Sequence, residues 1–172
     1  GVGKSVLIKC LIGLIAPDFG SIKLENKEIS SLSSQEHSDL MHKFGFLFQG
    51  GALFDSLPVW KNVAFFYIYN KHTSSDEARH IAAETLAKVG LGAHVLDLYP
   101  QELSGGMQKR VSFARTIAHN PEILLFDEPT AGLDPIMSTV INGLIANVRD
   151  DRNATLITIT HDLDSARKIA NR

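Results

Sequence analysis

The first five residues of the chain have the types and order needed to hold a phosphate group. Gly1-Val2-Gly3-Lys4-Ser5 matches the second half of the phosphate-binding loop G-x-x-x-x-G-K-S/T. Glycines allow consecutive backbone N–H groups to curve around a phosphate, and a following helix adds partial positive charge at its N-terminus. In such a loop the lysine contacts phosphate oxygens and the serine hydroxyl binds Mg²⁺. The same residues also fit a flexible glycine-rich segment before a helix.

Two adjacent carboxylates follow a short apolar run in the last third of the chain. Ile123–Phe126 predicts a buried strand, and Asp127 and Glu128 come directly after it. Parallel α/β sheets bind their ligands at the carboxyl ends of the strands. We therefore expect Asp127 to hold Mg²⁺ and Glu128 to accept a proton from an attacking water. A strand that ends in a polar turn is the alternative, which the upstream phosphate loop disfavours.

A second glycine-rich segment, Leu103–Gln108, predicts another helix N-terminus with free N–H groups. One nucleotide in one subunit does not need two such cradles. Two chains arranged head to tail do need them, because the Ser-Gly-Gly segment of each can close the phosphate site of the other. An ordinary serine cap, with glycines for close packing, fits the same residues.

Two further polar residues each follow a predicted strand. The imidazole of His161 has the chemistry to hydrogen-bond a γ-phosphate oxygen or the attacking water. The amide of Gln49 is suited to contact Mg²⁺ or water. A structural or exposed histidine and a loop glutamine are the alternatives for these two positions.

Strands and helices alternate along the sequence, which predicts an α/β fold with a parallel sheet. The predicted strands cover 21–25, 44–48, 123–126 and 155–160; the predicted helices cover 4–15, 33–42, 60–69, 76–89, 105–119, 135–148 and 163–170. Helix 4–15 is apolar on nearly all sides, so we expect it to be buried. Residues 50–118 contain helices and no strand. We interpret them as a helical insert with the signature motif, in a single domain whose core is 1–49 and 119–172.

The composition indicates a globular domain. Of the 172 residues, 44% are hydrophobic and 21% are charged, and the formal net charge is −2. This charge argues against a protein that binds nucleic acid through bulk positive charge. A single cysteine, Cys10, excludes an intrachain disulfide and favours a reducing compartment. No apolar run approaches the roughly 20 residues that span a bilayer.

These motifs, in the order in which they occur, resemble the ATP-binding cassette of ABC transporters along essentially the whole chain. The resemblance implies a P-loop NTPase core with a parallel sheet and an inserted α-helical subdomain. It also implies ATP and Mg²⁺ as cofactors and ATP hydrolysis coupled to transmembrane transport.

The resemblance assigns roles to residues one by one. Nucleotide-binding positions would be Gly1, Val2, Gly3, Lys4, Ser5 and Gln49. Catalytic positions would be Glu128, His161 and Lys4, and the Mg²⁺ ligands would be Ser5, Gln49 and Asp127. In a homodimer, the ATP of the partner subunit would contact Ser104, Gly105, Gly106 and Gln108, and Asp134 would lie in the loop that links the two sites.

A finer resemblance connects the chain with the Mla-type ATPases, which energise phospholipid traffic across the bacterial envelope. Phe48–Phe54, Leu103–Met107 and Phe126–Pro135 carry it, and we interpret Met107, where most cassettes have glutamine, as a marker of this branch. The branch implies a membrane permease partner, a periplasmic lipid-binding protein and a location at the cytoplasmic face of the inner membrane. It implies no nucleic-acid partner.

Three alternatives to a phospholipid transporter stay open. The motor could serve another cargo, such as an amino acid or a metal chelate. The cassette could act outside transport, or sense nucleotide without catalysis. The family's first loop glycine and adenine-stacking aromatic would precede Gly1, and its last strand would follow the final predicted helix. We therefore expect a fragment truncated at both ends.

Overall fold

The computed structural model describes residues 3–48, 50–151 and 154–170, apart from the side chains of Ser5 and Asp151. Contacts divide the chain into two compact units, Gly1–Phe44 and Gly45–Arg172. The α/β class and the parallel sheet that the sequence predicts are confirmed, because strands β4 and β5 of the second unit run parallel. No helix within the described ranges has the length and hydropathy needed to cross a bilayer.

The first unit begins with helix α1, which is shorter than predicted. It spans Lys4–Leu11 instead of 4–15. The reason is Gly13, which has a left-handed φ of 74° and whose Cβ, if present, would lie 2.7 Å from the side chain of Ile29. A glycine in this conformation just after the last turn ends a helix. Burial on all sides was also a wrong expectation, since Ile8 is buried whereas the neighbouring Leu7 is about half exposed.

Two short strands and a second helix complete the first unit. Strand β1 (Lys23–Leu24) pairs antiparallel with β2 (Lys27–Glu28). The sequence predicts the turn between them at Asn26-Lys27, but it lies at Glu25 and Asn26, because these two residues adopt the positive φ that a tight hairpin requires. Helix α2 (Ser34–Met41) follows, and Ser33 caps it through a reciprocal capping box with Glu36.

The second unit is built on a three-stranded sheet with the order β3-β4-β5. The strands are β3 (Phe44–Leu47), β4 (Ile123–Asp127) and β5 (Thr155–Ile159). Ile123 lies opposite Thr155 and Asp127 lies opposite Ile159, so the carboxyl ends of β4 and β5 are level. Helix α7 (Pro135–Asp151) connects β4 to β5, and α8 (Leu163–Ile169) follows β5. This register brings the residues after both strands to one edge.

Four helices lie between β3 and β4. They are α3 (Val59–Val63), α4 (Phe65–Asn70), α5 (Ser75–Lys88) and α6 (Gly105–Ile117). The sequence predicts one helix over 60–69, but the structure has two, because Ala64 between them leaves helical geometry with ψ of 13°. The sequence predicts Pro58 in the first turn of a helix, but Pro58 is the N-cap residue that precedes α3. The apolar faces of α3, α5 and α6 form one core with β4 and α7.

Candidate functional site

Glu128 is held at the carboxyl end of β4 in a conformation that glutamate seldom adopts. Its φ is +50°, in the left-handed region. Its backbone N–H donates to the carbonyl of Ile159 at 2.8 Å, which extends the β4–β5 ladder by one residue. The chain then turns, and Glu128 is 9% exposed. Backbone strain of this kind, where surrounding bonds enforce it, is frequent at functional sites.

His161 pairs with this carboxylate from the end of β5. The backbone N–H of His161 donates to Oε2 of Glu128 at 3.2 Å, and Nδ1 of its ring lies 2.8 Å from the same oxygen. The rest of the imidazole faces outward, with 74% of the side chain exposed against 12% for Glu128. The two residues that the sequence singled out separately therefore form one hydrogen-bonded pair.

The pair has a defined chemistry. An ionised carboxylate only accepts hydrogen bonds, so Nδ1 must carry the proton that points at Glu128. The neutral ring then offers Nε2 as an acceptor for a water, and the charged ring offers a second N–H to an anion such as phosphate. Both bonds from His161 converge on Oε2, and a carboxylate held in this way has the chemistry to accept a proton from a water.

The predicted second cradle forms the start of α6. Oγ of Ser104 accepts from the backbone N–H of Met107 at 3.3 Å, which makes Ser104 the N-cap. Nothing lies within 4 Å of where a Cβ of Gly105 would be, whereas a Cβ on Gly106 would be 2.9 Å from Cε of Met137. Gly105 thus leaves the helix start open, and Gly106 allows α7 to approach closely.

Gln108 is engaged by its own chain. Its Nε2 donates to the carbonyl of Pro100 at 2.8 Å and to that of Leu103 at 3.3 Å. These bonds fix the turn that leads into α6.

The neighbouring Lys109 is partly buried, and this burial lowers the pKa of its ammonium group.

A cavity of about 340 Å³ separates the start of α6 from two loops. Gly105, Gln108 and Lys109 line one side, and the other sides are formed by segments 50–55 and 131–133. The segment after β4 and the segment after β3 thereby meet the Ser-Gly-Gly helix within the second unit.

Three side chains on one face of α6 bond to the end of β3 and to the loop residues Gly51 and Ala52. Oγ1 of Thr116 donates to the carbonyl of Phe46 at 2.8 Å, and Nη1 of Arg115 donates to that of Ala52 at 2.7 Å. The hydroxyl of Ser112 donates to the carbonyl of Gly51. Sequence reasoning missed these three residues. The available signal was their spacing, because residues three and four positions apart lie on the same face of a helix.

Asp134 has a local role at the start of α7. Its Oδ1 accepts from the backbone N–H groups of Ile136 and Met137, both at 2.9 Å. Pro135 takes the first helical position, where a missing N–H does no harm. Asp134 therefore fixes the loop between Glu128 and α7, and its contact with a partner subunit stays a prediction.

Several predicted site residues fall in the first unit or outside the described residues. Gly3 is the N-cap of α1, with φ of 103°, and Lys4 is the first residue of that helix. Gly1, Val2 and Gln49 lie outside the described residues, and so does the side chain of Ser5.

The predicted Mg²⁺ ligands fit that ion in their chemistry. A hydroxyl from Ser5, an amide oxygen from Gln49 and the carboxylate of Asp127 are hard oxygen donors. Among the described residues, no group of three His, Cys, Asp or Glu side chains could enclose a metal ion alone. Mg²⁺ is usually bound by one or two carboxylates together with phosphates and waters, so a single carboxylate at the end of β4 suits it.

Comparison with known proteins agrees with this geometry. Residues 1–131 match the family model described as ABC transporter. The "Probable ribonucleotide transport ATP-binding protein mkl" of Mycobacterium tuberculosis is 40% identical over 98% of this chain and 47% of its own length. The "Intermembrane phospholipid transport system ATP-binding protein MlaF" of Haemophilus influenzae is 39% identical over 99% of this chain and 64% of its own length.

A solved structure of an ATP-binding cassette is also similar to this chain. The ATP-binding cassette MJ0796, described as a dimer in a post-hydrolysis state bound to ADP and Pi, superposes with a TM-score of 0.86. It is 32% identical, and the match covers 96% of this chain and 73% of that one. The chain spans about half the length of mkl and less than two thirds of MlaF. On the family model and these relatives, the chain belongs to the ABC transporter family.

Proposed function

We propose that this chain is the ATP-binding and ATP-hydrolysing part of an ABC transporter ATPase. The observation that carries the proposal is the buried Glu128 carboxylate hydrogen-bonded to His161 at the carboxyl edge of a parallel sheet. α/β folds place their ligands at this edge. The proposed layout is a P-loop NTPase core, 1–49 and 119–172, with a helical insert, 50–118.

In the proposed reaction, Lys4 and the N–H groups of Gly1–Ser5 bind the β and γ phosphates. A water attacks the γ-phosphorus, the bond to the β–γ bridging oxygen breaks, and ADP and phosphate leave. The Glu128 carboxylate takes the proton of that water, while His161 keeps the carboxylate in place through Oε2. Ser5, Gln49 and Asp127 would hold Mg²⁺, which would supply positive charge to the phosphate oxygens.

Two copies of the chain would bind two ATP molecules between them. The open N-terminus of α6 at Ser104–Gly106 would face the γ-phosphate bound to the partner subunit, as would Gln108 at its edge. The unobstructed space at Gly105 supports this orientation. Asp134 would lie in the loop that links both sites. Hydrolysis removes the shared γ-phosphate, so the population shifts toward the open dimer.

The Glu128→Gln variant tests the catalytic assignment. It keeps the shape of the side chain and an acceptor for His161, but removes the base. We expect ATP binding to persist and turnover of the purified protein to fall by about 10²–10⁴-fold. Glu84→Gln is the matched control, because Glu84 pairs with His80 at 3.3 Å on the solvent-exposed face of α5. Normal turnover in Glu128→Gln would exclude Glu128 as the base.

The cargo we propose is phospholipid. The resemblance of the Phe48–Phe54 and Phe126–Pro135 segments to Mla-type ATPases and the similarity to MlaF support it. The similarity to mkl is equally high, so ribonucleotide and other small-molecule cargoes, such as an amino acid or a metal chelate, are the competing candidates. ATP-dependent transfer of labelled phospholipid between vesicles by the reconstituted transporter would support a lipid cargo. Stimulation of turnover by a small solute alone would contradict it.

The proposed partners are a second copy, a membrane permease and a periplasmic lipid-binding protein, with the subunit at the cytoplasmic face of the inner membrane. An aromatic row supports a permease contact. Phe54 and Phe65 lie 4.6 Å apart between ring centroids, and Phe65 and Tyr69 lie 4.4 Å apart. Phe54 and Tyr69 are exposed, so this row has a free face on the insert. Co-purification of a permease tests the assignment, and recovery of nucleic acid instead would contradict it.

A further inference from the structure

A buried serine connects the loop that carries His161 with the loop that follows Glu128. Ser165 on α8 is 0% exposed. Its Oγ lies 2.5 Å from Oδ2 of Asp162, 2.8 Å from Nδ2 of Asn142 and 3.3 Å from Oγ1 of Thr130. The three partners come from the loop after β5, from α7 and from the loop after β4. One hydroxyl therefore joins three segments of the second unit.

The direction of each bond follows from the groups involved. A serine hydroxyl has one proton to donate and two lone pairs to accept with. Its donation to Asp162 holds the pKa of that carboxyl below its usual value, so the acceptor is charged at neutral pH. Asn142 then donates through Nδ2 to one lone pair, and Thr130 donates to the other. All three bonding positions of Ser165 are filled.

The orientation of Asn142 shows how closely this arrangement is enforced. Its Oδ1 is buried and has no hydrogen-bond partner among the residues that the structure describes. If the amide were rotated by 180°, Oδ1 of Asn142 would face Oγ of Ser165. Two acceptors would then meet without a proton between them, because the Ser165 hydroxyl donates its proton to Asp162. The amide thus serves Ser165 and leaves its own acceptor unsatisfied, which is rare for a buried polar atom.

The network also fixes both neighbours of His161. The backbone N–H of Asp162 donates to Oγ1 of Thr160 at 3.0 Å, and Oδ1 of Asp162 accepts from the N–H of Asp164 at 3.1 Å, capping α8. The same two loops are therefore tied twice, once through His161 and Glu128 and once through Ser165. Loss of the second connection would leave the loops joined by the bonds of Glu128 to Ile159 and His161.

We propose that Ser165 is a positioning residue for ATP hydrolysis, which sets the position of His161 against the Glu128 carboxylate. The inference rests on the proposed function. Ser165 touches neither nucleotide nor reacting atoms in this scheme. It acts through the loop that carries the histidine, and displacement of a catalytic group by a fraction of an ångström is enough to reduce turnover.

Single-turnover and steady-state ATP hydrolysis by the purified protein test this role. We expect Ser165→Ala to lower kcat by about tenfold while KM for ATP changes by less than about twofold. In a His161→Ala background the same substitution should cause no further loss, because the group that it positions is gone. Deuterium exchange in a peptide covering 160–165 should become faster.

Thr85→Ala is the matched control. Thr85 is also buried, and its hydroxyl donates only to the carbonyl of Ile81 one turn earlier in α5, at 2.7 Å. It should lower thermal stability without changing kcat or the exchange of 160–165. A kcat for Ser165→Ala equal to that of Thr85→Ala would overturn the inference, as would an additive loss in the double variant. Full turnover in His161→Ala would overturn the proposed function of the pair itself.

Discussion

Replacement of Gly45 by alanine tests how closely β3 packs against α6 and β4. A Cβ at this position would lie 2.7 Å from the backbone oxygen of Thr116, 2.8 Å from Cγ of Pro121 and 2.9 Å from Cδ2 of Leu124. Non-bonded carbon atoms prefer about 3.5–4.0 Å. The closest of the three atoms belongs to the helix backbone and cannot rotate away, so β3 itself must retreat by roughly half an ångström or more.

The expected cost follows from this overlap. Forcing a methyl group into a packed core costs about 1–3 kcal/mol. Retreat of β3 would also stretch the 2.8 Å bond from Thr116 to the carbonyl of Phe46, which contributes about 0.5–1.5 kcal/mol. Alanine also restricts the unfolded chain more than glycine does, and this smaller entropy of the unfolded state offsets about 0.4–1 kcal/mol of the lost stability. The free energy of unfolding should therefore fall by about 0.5–4 kcal/mol, which lowers Tm by roughly 1–16 °C at this chain length.

Urea and thermal unfolding of the purified protein measure this loss, and the same substitution elsewhere is the control. Gly143 lies on the exposed face of α7 with no atom within 4 Å of a Cβ. Gly143→Ala should stabilise the protein by about 0.5–1 kcal/mol, because alanine favours a helix interior. Opposite signs for the two variants are expected. A Gly45→Ala protein as stable as the wild type would refute the close packing inferred for β3.

Substitutions at three further positions have defined outcomes. Asp134→Ala removes the N-cap of α7 and should lower the unfolding free energy by about 0.5–2 kcal/mol in urea denaturation, whereas Asp134→Asn should keep most of it. Arg115→Met loses the bond to the carbonyl of Ala52 and should speed proteolysis near that residue, with no effect expected if the bond does not hold the loop. Arg79 donates two hydrogen bonds to Asp97, which lower the pKa of the Asp97 carboxyl in the folded protein. The pair therefore stabilises the fold at pH values above the unfolded pKa of about 3.9. This stabilisation is lost as the pH falls through the lower pKa of the folded state. The Tm deficit of Asp97→Asn at pH 7 should accordingly shrink in acid, and a constant deficit would contradict the ion pair.

Sequence patterns identified the elements whose signals are local. The apolar run before two acids placed β4 to within one residue, and Ser104 followed by two glycines placed the start of α6. The end of α1 was placed too late because Gly13, whose left-handed φ ends the helix, lies inside an otherwise continuous apolar run. The break at Ala64 was missed because no glycine or proline marks it. Local patterns report propensity, and tertiary contacts decide such boundaries.

In the candidate site, too, individual residues could be predicted from the sequence, whereas the contacts between them could not. Glu128 and His161 stood out individually, because each has a reactive side chain directly after a predicted strand. Their mutual hydrogen bond requires the parallel register that sets Asp127 opposite Ile159. The Ser165 network could not be read from the sequence, since serine, threonine and asparagine at separated positions carry no spacing signal. Only the folded chain brings their polar atoms together.

The bonds that Thr116, Arg115 and Ser112 make from α6 to the residues on either side of position 49 all end on backbone carbonyls. These side chains therefore recognise the path of the backbone at Phe46, Gly51 and Ala52 and not the side chains there. A substitution at one of these three positions keeps its bond wherever the new residue tolerates the local backbone, which has a positive φ at Gly51 and Ala52.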